Sequence, residues 1–293
     1  MLKVPLVPKL YLGTFPDPRE ISFRAEIGNE VASASAFPNE IWERGRNFIV
    51  SLLVLVCCGL HGFAADDPSP ALQAVAFRGQ GFLVRTVDPH KEDLRLFWKD
   101  DKGNLLHDFS GLEEAVNAKG ESLVFAANAG MFEPDSRPVG LLVQDGAEIS
   151  PLNLNDGAGN FYMKPNGIFV VNEKHKALVV ESSSYAALLT PVVWATQSGP
   201  LLVNEGSISP DFTSGSASRK IRSGVGVRKD GTIVLALSTR PVDFYEFATA
   251  FRNRWKCPNA LYLDGAISAF FRLGDKETPG EHSFGPMFGL VTK

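Results

Sequence analysis

Residues 224–237 read GVGVRKDGTIVLAL. A glycine opens a short apolar strand, Arg228-Lys229-Asp230-Gly231 makes a polar turn, and 232–237 returns as a second apolar strand. Asp-Gly between two apolar runs is a strong short-range hairpin signal, because both residues tolerate the positive φ that a tight turn demands. The same plan recurs upstream as GLLVQDG at 140–146, GIFVVN at 167–172 and GPLLVN at 199–204. Two of these close on Asp145-Gly146 and Glu205-Gly206, and the third on Asn172-Glu173-Lys174-His175 before a returning strand at 177–180. A largely antiparallel sheet system built from hairpins follows.

Outward from these hairpins, 82–86 and 94–99 read as strands, 112–118 as a short helix, and 122–127 as an apolar strand that stops at Asn128. One helix is plain. Phe244, Phe247, Ala248, Phe251 and Trp255 recur at steps of three and four, an apolar stripe between Asp243 and Cys257. It joins strand 232–237 to strand 260–263, the length of a strand-helix-strand crossover. The fold class is α+β, with a few helices set on hairpins. From 71 to 293 there is no long linker, charge block or low-complexity tract, so this stretch reads as a single domain.

The first 64 residues read differently. Arg44 and Arg46 precede an apolar run at 48–60, and Gly62-Phe63-Ala64 offers small residues for cleavage before Ala65. About 13 apolar residues are too few for a comfortable membrane span and suit a signal-peptide core. The alternative is a buried core helix. About 40 polar residues precede the run, which signal peptides do not normally carry, and an upstream start assignment would explain them. Cys57 and Cys58 do not follow the small residue that a lipoprotein cysteine wants. The expectation is export to the periplasm or cell exterior with no stable membrane span after cleavage. Cys257 is then alone and reads as a buried apolar residue.

Composition narrows the functional classes. Of 293 residues 44% are hydrophobic and 21% charged, with a net charge of −4, which gives no global pull toward nucleic acid. Any anion must be met by a local basic group. No histidine among His90, His107, His175 and His282 has zinc-ligand spacing. No cofactor is expected, although a hard cation such as calcium would leave no sequence signature here.

Polar residues stand at the strand ends. Asn166 precedes Gly167, Gln197-Ser198 precede Gly199, and Arg222-Ser223 precede Gly224, while Asn128 and Asp264 stand at exits. Antiparallel and crossover placement can bring all of them to one edge, where loops mount binding groups. Each has a bland reading too: turn formers for Asn128, Asn166 and Asp264-Gly265, and a surface ion pair for Arg222. Ser198 in Thr-Gln-Ser-Gly-Pro is not a nucleophile elbow and has no convincing histidine partner.

Taken in order, these segments resemble the phosphodiester glycosidase family. The matching pieces are Asn128-Ala129-Gly130-Met131-Phe132, Asn166-Gly167-Ile168-Phe169, Gln197-Ser198-Gly199-Pro200-Leu201, Arg222 with Gly226, and Leu263-Asp264-Gly265-Ala266-Ile267-Ser268. Ala266 stands where the family usually has glycine. The resemblance spans about half the chain and implies an α+β hydrolase that cleaves a glycosyl phosphodiester in an envelope or extracellular glycan.

The chemistry fits such a linkage. A phosphate ester is already a good leaving group, so acid help matters less than a fixed cation on the phosphate and a group at the anomeric carbon. Arg222 suits the first through a bidentate grip, and Asp264 the second as general base or nucleophile. Asn128, Asn166, Gln197 and Ser268 are candidates for sugar hydroxyls or an N-acetyl amide, with Gly130, Phe132, Ser198, Gly199 and Gly265 lining the same edge. A non-catalytic module that binds glycan or anionic polymer could use that edge without an activated carboxylate. An ordinary glycosidase would instead draw on Glu133, Asp135 or Asp156.

Overall fold

Two-residue turns with both residues at positive φ match the natural twist of a hairpin, and the described residues hold three of them. They are Arg78-Gly79 (φ 49° and 77°), Asp145-Gly146 (49° and 78°) and Glu205-Gly206 (49° and 80°). The computed structural model describes residues 71–264, 267–272 and 283–293. The apolar run at 48–60 with its leader, and Gly265 and Ala266, lie outside the described residues.

Along the chain the first of these turns joins β1 (Gln73–Phe77) to β2 (Gln80–Val87), followed by β3 (Asp93–Phe97), α1 (Phe109–Asn117) and β4 (Ser122–Asn128). The second joins β5 (Leu142–Gln144) to β6 (Ala147–Ser150). A wider turn at His175 (φ 55°) links β7 (Gly167–Asn172) to β8 (Ala177–Glu181). After β9 (Val192–Ser198), the third joins β10 (Leu201–Asn204) to β11 (Ser207–Ile208). Then come β12 (Ser223–Val227), β13 (Ile233–Ser238), α2 (Phe244–Thr249), β14 (Asn259–Asp264), β15 (Phe270–Arg272) and β16 (Met287–Thr292).

Among the described residues the strands form three sheets, ordered β1-β2-β13-β12-β14-β10-β11, β15-β4-β16-β3 and β6-β5-β9-β7-β8. The pairings are antiparallel, including β12 with β13, β12 with β14 and β7 with β9. The four repeated hairpins therefore stand as the sequence reads. Four strands were not legible there: β1 with its Arg78-Gly79 turn, β9, β15, and β16, which lies between β4 and β3. The pairing of β16 depends on residues far upstream, such as Phe288 opposite Leu96 and Ala127, and local pattern carries no trace of it.

One apolar core draws on all three sheets: Leu96, Phe125 and Phe288 from the second, Phe169 and Trp194 from the third, Val225, Leu235 and Leu261 from the first. Each such side chain contributes about 1.5–3 kcal/mol by leaving water. On the other face of the seven-stranded sheet, α2 and the turn that follows it bury Phe247 and Phe251 against Phe82, Val234 and Tyr262. A capping box starts this helix: Asp243 Oδ1 accepts from Glu246 N at 2.8 Å, and Glu246 Oε2 accepts from Asp243 N at 3.0 Å. The helix is shorter than the stripe suggests. Residues 250–254 widen into a π-turn in which Trp255 N reaches back to Ala250 O at 3.1 Å. That widening keeps Phe251 and Trp255 against the sheet, with Trp255 edge-on to Phe82 at 5.3 Å. Because β13 and β14 both lie antiparallel to β12, they are parallel to each other, and α2 carries the crossover between them.

Candidate active site

The strand ends do gather. In the β12–β14 ladder Gly224 faces Tyr262 but Ser223 faces Asp264, so β14 carries one extra residue at Leu263. A bulge of this kind bends the strand and re-aims the side chain at its end. Ser198 Oγ secures it by donating to Leu263 O at 2.9 Å. Ser268 Oγ donates to Asp264 O at 2.8 Å and lies 3.3 Å from Ser223 Oγ. Ser223 Oγ accepts from Asn128 Nδ2 at 2.8 Å, and Asn128 Oδ1 accepts from Ala269 N at 3.3 Å. Asn128, Ser198, Ser223, Ser268 and Asp264 thus form one connected group, with Asp264 half-buried at its rim.

On the neighbouring sheet the polar groups are committed to structure. Gln197 Oε1 accepts from Leu141 N and Asn153 N, both at 3.0 Å. Its Nε2 donates to Asn153 O at 2.6 Å and to Ser182 Oγ at 3.1 Å. An amide side chain has two donors and two acceptor positions, so Gln197 is saturated inside the protein. It was expected to meet sugar; instead it pins the irregular segment around Asn153. Asn166 Nδ2 donates to Phe161 O at 3.0 Å. Ser198, with its proton on Leu263 O, is placed as a brace and not as a nucleophile.

Gly199 and Gly130 show why glycine is needed at this edge. A Cβ on Gly199 would meet Phe161 O at 2.6 Å and Asn166 Cβ at 2.7 Å, and one on Gly130 would run into the Gln197 carbonyl. Gly130 N donates to Thr196 Oγ1 at 3.2 Å. Phe132 is half-buried and lies against Gly285.

Arg222 occupies the other flank. It is 1% exposed, yet it pairs with no carboxylate among the described residues. Its Nε donates to Val242 O and its Nη2 to Ser218 O, each at 2.9 Å. The guanidinium lies over Phe244, 3.7 Å from Cζ to the ring centre, and 5.3 Å from the centre of Tyr262. Nη1 is buried and closes no hydrogen bond among the described residues. Burial pulls the Arg222 pKa down, opposed by Tyr262 and Asp243. A buried cationic donor without a partner costs more than an ordinary hydrogen bond returns, so Arg222 is held here at a cost that its packing alone does not explain.

Sequence reasoning missed Tyr262 and Asn160. Tyr262 was read as one apolar residue of a strand. Its hydroxyl feels Arg222 and the Asn160 amide, which favour its ionised form, and Asp264, which opposes it; burial dominates and drives the phenol upward. The signal available in sequence was position, two residues before Asp264 on a strand of alternating faces.

The carboxylates of the ordinary-glycosidase reading make no hydrogen bond or ion pair with this group among the described residues. Glu133, Asp135 and Asp156 are exposed, and Asp135 is paired with Arg137. An open groove of about 400 Å³ runs along α1, lined by Lys99, Asp101, Leu105, Glu114 and Lys119 among others, and shares no residue with the site. Among the described residues no cluster of three or more histidines, cysteines or carboxylates is poised for a metal, and no helix is long and apolar enough to cross a membrane.

Comparison with known proteins identifies the family. The chain is 32% identical over 225 residues to the uncharacterized protein YigE of Escherichia coli (strain K12), covering 76% of this chain and 84% of that protein. In fold it is similar to the catalytic domain of zebrafish N-acetylglucosamine-1-phosphodiester alpha-N-acetylglucosaminidase, auto-inhibited by its pro-peptide. That match has a TM-score of 0.54 at 14% identity and covers 76% of this chain and 82% of that one. The protein is a glycosidase-type hydrolase. The family model for phosphodiester glycosidases matches residues 121–283, and the chain belongs to that family.

Proposed function

We propose that the protein hydrolyses a glycosyl phosphodiester in an envelope or extracellular glycan, with Arg222 on the phosphate and Asp264 at the anomeric carbon. The observation that carries this reading is the unpaired Nη1 of a buried arginine beside the strand end that presents Asp264. In the reaction, water oxygen bonds to the anomeric carbon while the carbon–oxygen bond to phosphate breaks. The bonding pair leaves on the phosphate oxygen, and Asp264 takes the water proton. The products are a free sugar and a phosphate monoester, and no cofactor enters the balance. Asn128 and Ser268 face the sugar, while Asn166, Gln197, Ser198 and the glycines hold the walls.

The test is to incubate the protein with sugar-1-phosphodiesters and measure released sugar. N-acetylglucosamine-1-phosphodiesters, the linkage in the zebrafish enzyme's name, come first. No release from a panel of sugars would sink the reading. Export belongs to the same proposal and rests on the apolar run at 48–60. Residues 41–70 fused to a reporter that works only outside the cytoplasm should activate it, and a silent reporter counts against export.

A further inference from the structure

Arg222 has already spent one edge of its guanidinium on the protein itself. Nε and one N–H of Nη2 are turned to the carbonyls of Val242 and Ser218, so the edge that pairs Nε with Nη2 is closed to an anion. The buried Nη1 closes no hydrogen bond among the described residues and is left, with the second N–H of Nη2, to meet a phosphate. One guanidinium edge holds at most two phosphate oxygens, and the oxygen released from the anomeric carbon is a third, so a further donor has a partner there.

Tyr262 is the group placed to supply it. Its ring stands edge-on to Phe244 at 4.9 Å, and Phe244 in turn carries the Arg222 guanidinium, so the three side chains lock one another. Tyr262 is 1% exposed and lies two residues before Asp264 on β14. Its ring centre lies 5.3 Å from the guanidinium carbon of Arg222, and its hydroxyl interacts with that guanidinium and the Asn160 side chain. We propose, building on the phosphodiester reading above, that Tyr262 is the second phosphate-binding donor. Its O–H and Arg222 Nη1 hold the same phosphoryl group, and Asn160 orients the phenol.

The geometry has a chemical consequence. Burial keeps the phenol protonated, so it donates at neutral pH without adding charge. The proton stays on Tyr262 throughout. The donor acts by stabilising the negative charge that gathers on the phosphate as the bond to the anomeric carbon breaks, which is worth more out of water than in it.

Tyr262→Phe tests this, because it keeps the ring and its contact with Phe244 and removes only the hydroxyl. Parent and variant are compared on sugar-1-phosphodiesters whose leaving phosphate esters differ in acidity, and by calorimetry with inorganic phosphate. The expected result is a fall in kcat/KM of about tenfold to hundredfold. The variant should also show a steeper dependence on leaving-group acidity and weaker phosphate binding. Parental rates, leaving-group dependence and phosphate affinity would overturn the proposal, as would a lower melting temperature with unchanged turnover per folded molecule. If the parent cleaves no phosphodiester, the hydrolytic reading falls by itself, and phosphate affinity still decides Tyr262: equal or absent binding in both proteins overturns it. Should Tyr262→Phe fail to fold, Asn160→Ala at an exposed position should shift the leaving-group dependence in the same direction but less. No shift there overturns the proposal too.

Discussion

Arg85 and Arg222 are both buried arginines of the seven-stranded sheet, 4% and 1% exposed, and the protein treats them in opposite ways. Arg85 on β2 pairs with Glu92 and donates to Thr86 O, so its charge is met within one turn of chain. Glu92 in turn accepts from Asp88 N at 3.1 Å. Arg222 receives two carbonyls and an aromatic face but no carboxylate, although Asp243 is near enough to be felt. Asp243 is spent on the α2 cap, on Gly215 N at 3.0 Å and on Arg219. Burying a cation to hold a fold calls for an anion beside it, since the desolvation cost otherwise goes uncompensated. Arg85 anchors the β2 end, and Arg222 keeps the unmatched donor that the proposal gives to the phosphate.

The contrast can be broken most forcefully at the carboxylate that shares the Arg222 flank. Asp264→Asn keeps size and removes both charge and base, and hydrolysis should fall at least about a hundredfold while ligand affinity survives or rises. Turnover and affinity measured together, with melting temperature as control, decide it. Equal turnover would strip Asp264 of its role. Next in size is Arg222→Lys, which cannot reach two carbonyls and an anion at once. Turnover per folded molecule should drop roughly tenfold, on the order of 1.4 kcal/mol. An unchanged rate at equal stability would make Arg222 an anchor like Arg85.

Glu92→Gln sharpens the other side. It leaves Arg85 buried beside a neutral amide and should cost about 1–2 kcal/mol, less than a wholly buried pair because Glu92 is 24% exposed. The melting temperature should fall by several degrees with turnover unchanged, and a loss of activity would blur the division between the two regions. The smallest effect concerns Cys257, whose thiol burial pushes up to about 12 from 9.0. Because the folded value is raised, the stability from the neutral thiol is full below pH 9 and is lost as pH climbs toward 12. At pH 8.5 Cys257 should resist alkylation in the native protein and react on unfolding, as peptide mapping would show.

Sequence by itself determined the elements that declare themselves locally. The four hairpins are written in Asp-Gly, Glu-Gly and Asn-Glu-Lys-His turns, and α2 in its aromatic stripe, because turn φ and helical period are properties of neighbouring residues. Five short motifs in order were enough to reach the family that residues 121–283 match. They also named residues that the fold assembles at one edge: Asn128, Ser198, Asp264 and Ser268 are joined by hydrogen bonds through Ser223 and Leu263. What each does there was decided only by tertiary structure. Gln197 is saturated by Leu141, Asn153 and Ser182, and Arg222 has two of its donors taken by Ser218 and Val242. Those partners come from separate loops, and no local pattern records which of them will be near. Tyr262 makes the point most sharply. In sequence it is one more apolar strand residue; its hydroxyl acquires meaning because β14 lies beside β12 and α2 covers them both, bringing Arg222, Phe244 and Tyr262 into one stack. Residue type is a property of the chain, but whether a donor is spent or left open depends on what long-range packing sets beside it.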